Sequence, residues 1–211
     1  MMNLSIMNYT LLVIMNIENE CLGIHELNNT VIDIVNNNYD ENILLTFDDD
    51  LYSQFKYKDN INNKNRIYFI CPSLVNTKLV NYEDVTTYVA MSKHFYDNSN
   101  EYYMKLEHVQ TLINEGYTIG AHSFYHENIK YCSKIKVNNK LINNSRSYLS
   151  IKNENYIRED TELMLNWFDK YLNIRPLYYC FPFNNSTNKL KDILKTYDFT
   201  EFFDDSNRIM I

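Results

Sequence analysis

ILLTFDDD, residues 43–50, decides how the rest of this chain is read. A short apolar run, Ile43-Leu44-Leu45, leads through Thr46 and Phe47 into three consecutive aspartates. A run of this length reads as a buried strand. Carboxylates crowded at the end of a buried strand are costly unless they bind a cation or do chemistry. An acidic turn would give the same letters, because Asp is a common turn residue. What separates the two readings lies downstream.

Residues 117–126 read YTIGAHSFYH. An apolar strand runs through Gly120 into His122 and His126. Imidazoles four positions apart share one face of a helix or helical turn. Two histidines and one carboxylate are a common donor set for a catalytic zinc, with a coordination position left for water. The carboxylate would come from the aspartates at 48–50.

Around these two stretches the chain alternates strand and helix signals. Strand-like runs fall at 10–17, 43–47, 66–71, 117–121 and 177–183. Leu106, Val109, Leu112 and Ile113 make one helical apolar face, which Gly116 would cap. Leu163, Met164, Trp167, Phe168 and Leu172 make a second, with Asp160 or Thr161 as N-cap. Leu190, Ile193, Leu194 and Tyr197 make a third. This rhythm predicts an α/β domain with a parallel sheet or barrel, its functional residues at the C-terminal ends of the strands. We expect one domain over 1–211, with a weak helix near 85–91 and a polar loop insertion around 130–156.

The 211 residues suffice for a core, and 45% are hydrophobic. A net charge of −7 with no basic block argues against nucleic acid and anionic membrane as main partners. Lys134, Lys136 and Lys140 read as a solvated loop. Cys21, Cys71, Cys132 and Cys180 are scattered without metal-type spacing, which suits reduced thiols. The apolar run at 11–15 is too short for a signal sequence or a membrane span. That reads as a cytoplasmic protein, or a secreted one if the chain is a trimmed form.

The motifs carry a family resemblance. TFDDD at 46–50 resembles the Thr-Phe-Asp-Asp-Gly motif of the polysaccharide deacetylases, carbohydrate esterase family 4, the NodB-homology domain. NEGYTIGAHSFYH at 114–126 is similar to the family's second motif with its preceding helix end. PLYYCFPFNN at 176–185 resembles the third motif in its aromatic-Pro-aromatic branch. The resemblance implies a distorted (β/α) barrel with an incomplete strand count. It implies metal-dependent removal of acetyl groups from an N-acetylated, or O-acetylated, glycan. The metal would be zinc, with cobalt or nickel as alternatives. Asp48 would be the general base, Asp49, His122 and His126 the ligands, and the Phe183 backbone N–H the oxyanion donor. Two other functions fit the letters: an amidase or deformylase acting on a small intracellular substrate, and a non-catalytic glycan-binding relative.

Four departures accompany the resemblance. Asp50 stands at the family's glycine, and we expect it to face solvent. The motif-three arginine that pairs with the base is replaced by Cys180 and Phe181, with Arg208 or Arg175 as substitutes. No histidine follows His126, so the usual late general acid is missing. His25 could supply it, because first and last strands are neighbours in a closed barrel. Asn184 takes the place of another glycine, a position that Asn tolerates. His94 and His108 read as ordinary histidines. Phe124, Tyr178, Tyr179, Phe181 and Phe183 are candidates for a sugar-stacking groove, with core packing as the simpler role.

Overall fold

The computed structural model describes residues 21–126, 132–137, 140–146 and 154–211, the two middle segments by their backbone alone. The strands are β1 (Cys21–Ile24), β2 (Leu44–Phe47), β3 (Arg66–Ile70), β4 (Thr118–Ala121), β5 (Cys132–Val137), β6 (Lys140–Arg146), β7 (Tyr178–Cys180), β8 (Glu201–Phe203) and β9 (Ile209–Met210). The helices are α1 (Asn29–Asn38), α2 (Tyr52–Lys56), α3 (Thr87–Ser92), α4 (Leu106–Asn114), α5 (Glu154–Leu172) and α6 (Asn188–Lys195).

Seven strands form one sheet in the order β8-β7-β4-β3-β2-β1-β9. Every pairing in it is parallel. The sheet curls into a partial barrel with helices around it, the distorted (β/α) barrel that the sequence implies. β5 and β6 form a separate antiparallel pair inside the expected 130–156 insertion. The strand expected at 10–17 lies outside the described residues.

The apolar runs become strands because both their faces are covered. All five residues of β3 are buried, as parallel strands beneath helices require. Phe47 stacks on Tyr68 at 4.8 Å between ring centroids, and both are fully buried. Burying a side chain of that size is worth ~1.5–3 kcal/mol. Helix α4 packs Val109 and Leu112 inward, and Gly116 ends it with a left-handed φ of 87°, as a residue past a helix end should.

Three strands escape the periodicity argument: β1, β8 and β9 have only two to four residues each. Runs this short carry no readable period, and pairing alone defines them. One cap is corrected. Asp160 is not at the start of its helix, which extends from Glu154 to Leu172. The polar ENYIRED stretch hid the first turns, because only Ile157 within it is apolar and buried. Cys21, Cys71 and Cys180 are buried free thiols, as expected. No described helix is long and apolar enough to cross a membrane.

Candidate metal centre and active site

The three aspartates follow β2 and all are buried. Asp49 and Asp50 adopt left-handed backbone, φ 72° and 58°, a conformation Asp tolerates better than most residues. The tight turn sends the three carboxylates in different directions, and each is neutralised differently.

Asp48 meets Arg208. Arg208 Nη1 donates to Asp48 Oδ1 at 2.9 Å, and Nη2 lies 2.6 Å from Oδ2. Burial works against the charge on Asp48, but the guanidinium outweighs it and holds the carboxyl below its ordinary range. Arg208 also donates to Thr46 Oγ1 at 3.3 Å and, through Nε, to Asn184 Oδ1 at 3.1 Å. Its stem runs past Gly23, where an added Cβ would lie 3.4 Å from Arg208 Cδ and 2.2 Å from Met210 Sδ. A side chain on Gly23 would therefore collide with its β9 neighbour. Of the two arginines named as substitutes, Arg208 is the one that pairs with Asp48. Arg175 instead contacts the Tyr197 carbonyl at 3.4 Å on the surface.

Asp49 meets both histidines. His122 Nε2 and His126 Nε2 lie 3.0 and 2.8 Å from the same oxygen, Asp49 Oδ1. Burial opposes a charge on His122, and the Asp49 contact reverses that, leaving the imidazole above its ordinary value. The His122 Nδ1–H is directed at the Cys180 carbonyl at 2.9 Å. With Nδ1 protonated, a neutral His122 presents its Nε2 lone pair to the Asp49 oxygen. Asp49, His122 and His126 thus form a buried group of ligand atoms that could hold a metal ion. Their N2O donor set suits a zinc-type ion, and the Cys180 carbonyl is the outer partner that orients such a ligand.

Asp50 is corrected. It does not face solvent: it is fully buried. Its Oδ2 accepts from the Cys71 N–H at 2.9 Å, and burial pushes its carboxyl well above the ordinary range. Asp50 is thus a buried carboxyl where the related motif has glycine.

The His122–His126 segment is corrected as well. It is a loop rather than a helical turn, with Ser123 and His126 at φ 62° and 55°. The imidazoles converge because the loop is held from outside. Asp160, projecting from α5, accepts from the backbone N–H of Phe124 at 3.1 Å and of Tyr125 at 3.2 Å. It also accepts from the Ser123 hydroxyl at 3.3 Å. The Ser73 N–H donates to the Phe124 carbonyl at 3.0 Å. Sequence reasoning missed Asp160 in this role. Its signal, a carboxylate inside a helix one turn from buried residues, was absorbed by the helix-cap reading.

His25 comes into the site from the end of β1. Its Nε2 lies 3.7 Å from Asp48 Oδ2 and 3.6 Å from Asp49 Oδ2, with the side chain 35% exposed. Gln54 Nε2 donates to both the His25 and Asp48 carbonyls, at 2.7 and 2.5 Å, and so ties the two strand ends together. Phe183 lies in the turn after β7 with left-handed φ 58° and ψ 21°. Its ring, half exposed, meets the His126 ring edge-on at 4.7 Å. Tyr179 and Phe181 are core residues. His94 hydrogen-bonds Asn100, and His108 accepts from the Lys105 N–H at its own helix start; both stand apart from the metal-ligand group.

No protein-family model matches the chain, and no curated protein matches it by sequence. Solved structures do. It is similar to IcaB from Ammonifex degensii, at 15% identity and TM-score 0.56, over 91% of each chain. It is similar to the BpsB deacetylase domain from Bordetella bronchiseptica, at 11% identity and TM-score 0.55, over 92% of this chain and 95% of that one. A de-N-acetylase from Aggregatibacter actinomycetemcomitans matches at 15% identity and TM-score 0.53, over 96% and 76%. The chain therefore has the fold of the NodB-type polysaccharide deacetylases.

Proposed function

We propose that this protein is a metal-dependent deacetylase acting on an N-acetylated glycan. One observation carries the reading: Asp49, His122 and His126 converge within 4.8 Å beside a buried Asp48 held ionised by Arg208. Asp49, His122 and His126 would hold a divalent ion, zinc being the best match to two imidazoles and a carboxylate. Such an ion supplies a water acidic enough to attack near neutral pH and polarises the acetyl carbonyl.

The chain's own residues do the rest. Asp48 accepts the proton of the attacking water at its carboxylate. Arg208 fixes the orientation of that carboxylate and keeps it unprotonated in a buried setting. The Phe183 backbone N–H donates to the developing oxyanion, a contact of a kind worth ~3–4 kcal/mol in the transition state. His25, whose Nε2 lies 3.7 Å from Asp48 Oδ2, protonates the leaving nitrogen. This supplies the acid that the chain lacks after His126, and its partial exposure lets it exchange protons with solvent.

Acetate release from N-acetylglucosamine oligomers by zinc-loaded protein tests the reading, with Asp48→Asn as the inactive control. Zinc-, cobalt- and nickel-loaded wild type that releases no acetate, or that binds no metal, would sink it. His25→Ala should slow turnover of the amide more than that of an activated acetyl ester, whose leaving group needs no proton.

A further inference from the structure

Asn184 stands in the turn after β7, where the related motif has glycine. Its φ of 54° lies in the region that glycine occupies freely and Asn tolerates. The backbone alone would be served as well by glycine. The side chain does something that glycine could not. Asn184 Oδ1 accepts from Arg208 Nε at 3.1 Å and from Arg208 Nη2 at 2.5 Å.

Those two bonds complete the guanidinium. Arginine has five N–H groups in a rigid fork. Along one edge, Nη1 and Nη2 meet the two oxygens of Asp48 at 2.9 and 2.6 Å. The other Nη1 hydrogen goes to Thr46 Oγ1 at 3.3 Å. Along the second edge, Nε and Nη2 converge on Asn184. Arg208 is buried, so a hydrogen left without an acceptor would be costly there. Asn184 thereby sets the rotation of the plane that holds Asp48.

The contact also acts on the turn. Phe183 has left-handed backbone too, φ 58° and ψ 21°. Two consecutive residues with side chains in that region must be held by their surroundings. The Asn184 N–H donates to the Phe181 carbonyl at 2.9 Å, and the Asn185 N–H to the Pro182 carbonyl at 3.3 Å. Those bonds close the turn, and Arg208 anchors it from outside. One guanidinium thus joins the end of β2 to the turn after β7, although β3 and β4 stand between those strands in the sheet.

We infer that Asn184 is a positioning residue that fixes, through Arg208, the placement of the Phe183 N–H relative to the Asp48 carboxylate. Its catalytic consequence rests on the deacetylase reading, in which Asp48 takes the proton of the water and the Phe183 N–H meets the oxyanion. Groups that act together in one transition state lose rate when displaced by as little as an ångström. Asn184 does not contact Asp49, His122 or His126 by any hydrogen bond of its side chain to them, so the effect falls on kcat and not on metal affinity.

The test compares zinc-loaded wild type, Asn184→Gly, Asn184→Asp, Arg208→Lys and the double variant Asn184→Gly/Arg208→Lys. Glycine fits a φ of 54° without strain, so Asn184→Gly should fold. Its kcat for acetate release from N-acetylglucosamine oligomers should fall about tenfold at unchanged KM and zinc affinity. Asn184→Asp keeps an acceptor oxygen and should recover most of the loss. On the Arg208→Lys background the glycine change should cost less than about twofold, because the two residues act as a unit. Magnetic resonance of isotope-labelled protein reads the coupling without turnover. The Arg208 Nε–H signal, identified by its loss in Arg208→Lys, should shift in Asn184→Gly, and the Phe183 amide signal should shift in Arg208→Lys. Wild-type kcat in Asn184→Gly would overturn the inference, since the turn would then need only a residue that accepts φ > 0. A tenfold loss repeated in full on the Arg208→Lys background would overturn it as well. If wild type releases no acetate, the deacetylase reading falls and the two resonances decide: unmoved signals overturn the coupling, and shifted signals leave it standing.

Discussion

Arg208 grips Asp48 with two guanidinium nitrogens, at 2.9 and 2.6 Å, across 160 positions of sequence. Both side chains are buried, so each charge depends on the other. Replacing Arg208 by Met leaves a buried carboxylate without its cation, which costs ~3–5 kcal/mol when one partner of such a pair is removed. The added change Asp48→Asn removes the stranded charge and should restore most of that loss. Urea denaturation of the two single variants and the double variant measures the coupling. Arg208→Lys, which cannot form the paired contact, should fold but lose at least tenfold in turnover.

Metal binding and stability should rise together. An ion held only by the folded chain stabilises it by ~4 kcal/mol at a thousandfold excess over Kd. Zinc should raise the melting temperature of wild type, and chelation should reverse the rise. Asp49→Asn and His122→Ala should show neither change. Calorimetric melting with and without zinc, alongside metal content by mass spectrometry, reads both quantities.

Asp160 gathers Ser123, Phe124 and Tyr125, the residues between the two imidazoles. Asp160→Ala should therefore weaken zinc binding by ~10–100-fold, the size of effect seen when an outer partner of a metal ligand is lost. Asp160→Asn keeps one acceptor oxygen and should lose less. Competition with a zinc-chelating dye ranks the three proteins.

Gly120 lies two residues before His122, and an added Cβ would meet the Phe69 ring at 2.4 Å and the Tyr178 carbonyl at 3.2 Å. Phe69 is fully buried, so its ring has little room to move. Gly120→Ala should cost ~1–3 kcal/mol by overpacking, read as a lower urea midpoint at unchanged slope. The paired change Phe69→Leu should recover part of it.

Acid should reveal Asp204. Burial acts against its charge, but Lys191 Nζ at 2.7 Å and the Ser186 hydroxyl at 2.6 Å hold the carboxyl far below its ordinary value. A depressed folded-state pKa contributes stability above the unfolded value, ~3.9, and loses it as pH falls toward the folded one. Asp204→Asn should be less stable than wild type at pH 7, and the gap should narrow as pH drops below about 4. Denaturation midpoints across that range check the sign.

Much of the candidate site was legible early because it is local. The TFDDD and HSFYH stretches each follow an apolar run, and a strand ending in polar groups can be read from a few neighbouring letters. Asp49, His122 and His126 come together, the grouping that the family resemblance implies, although the last two sit on a loop and not a helix. The illegible parts depend on side chains that meet late in the fold. Asp50 reads as a surface turn residue, and only its contact with the Cys71 amide shows that it is buried. Asp160 reads as a helix cap, since no local pattern reveals that a loop 36 positions earlier needs its carboxylate.

The sequence by itself determined the α/β alternation, the strand ends that carry the acids and the imidazoles, and the donor set available to a metal. These follow from short-range periodicity and from the high cost of burying charge without a purpose. Only the tertiary structure decided which arginine serves Asp48 and that His25 stands beside it. It also decided how three adjacent aspartates divide among an ion pair with Arg208, a meeting with two imidazoles and a buried contact to the Cys71 amide. Those outcomes rest on the curl of the sheet, which sets β9 against β1 and β1 against β2. Electrostatic partners in a barrel are chosen by that closure, and distance along the chain has no bearing on it.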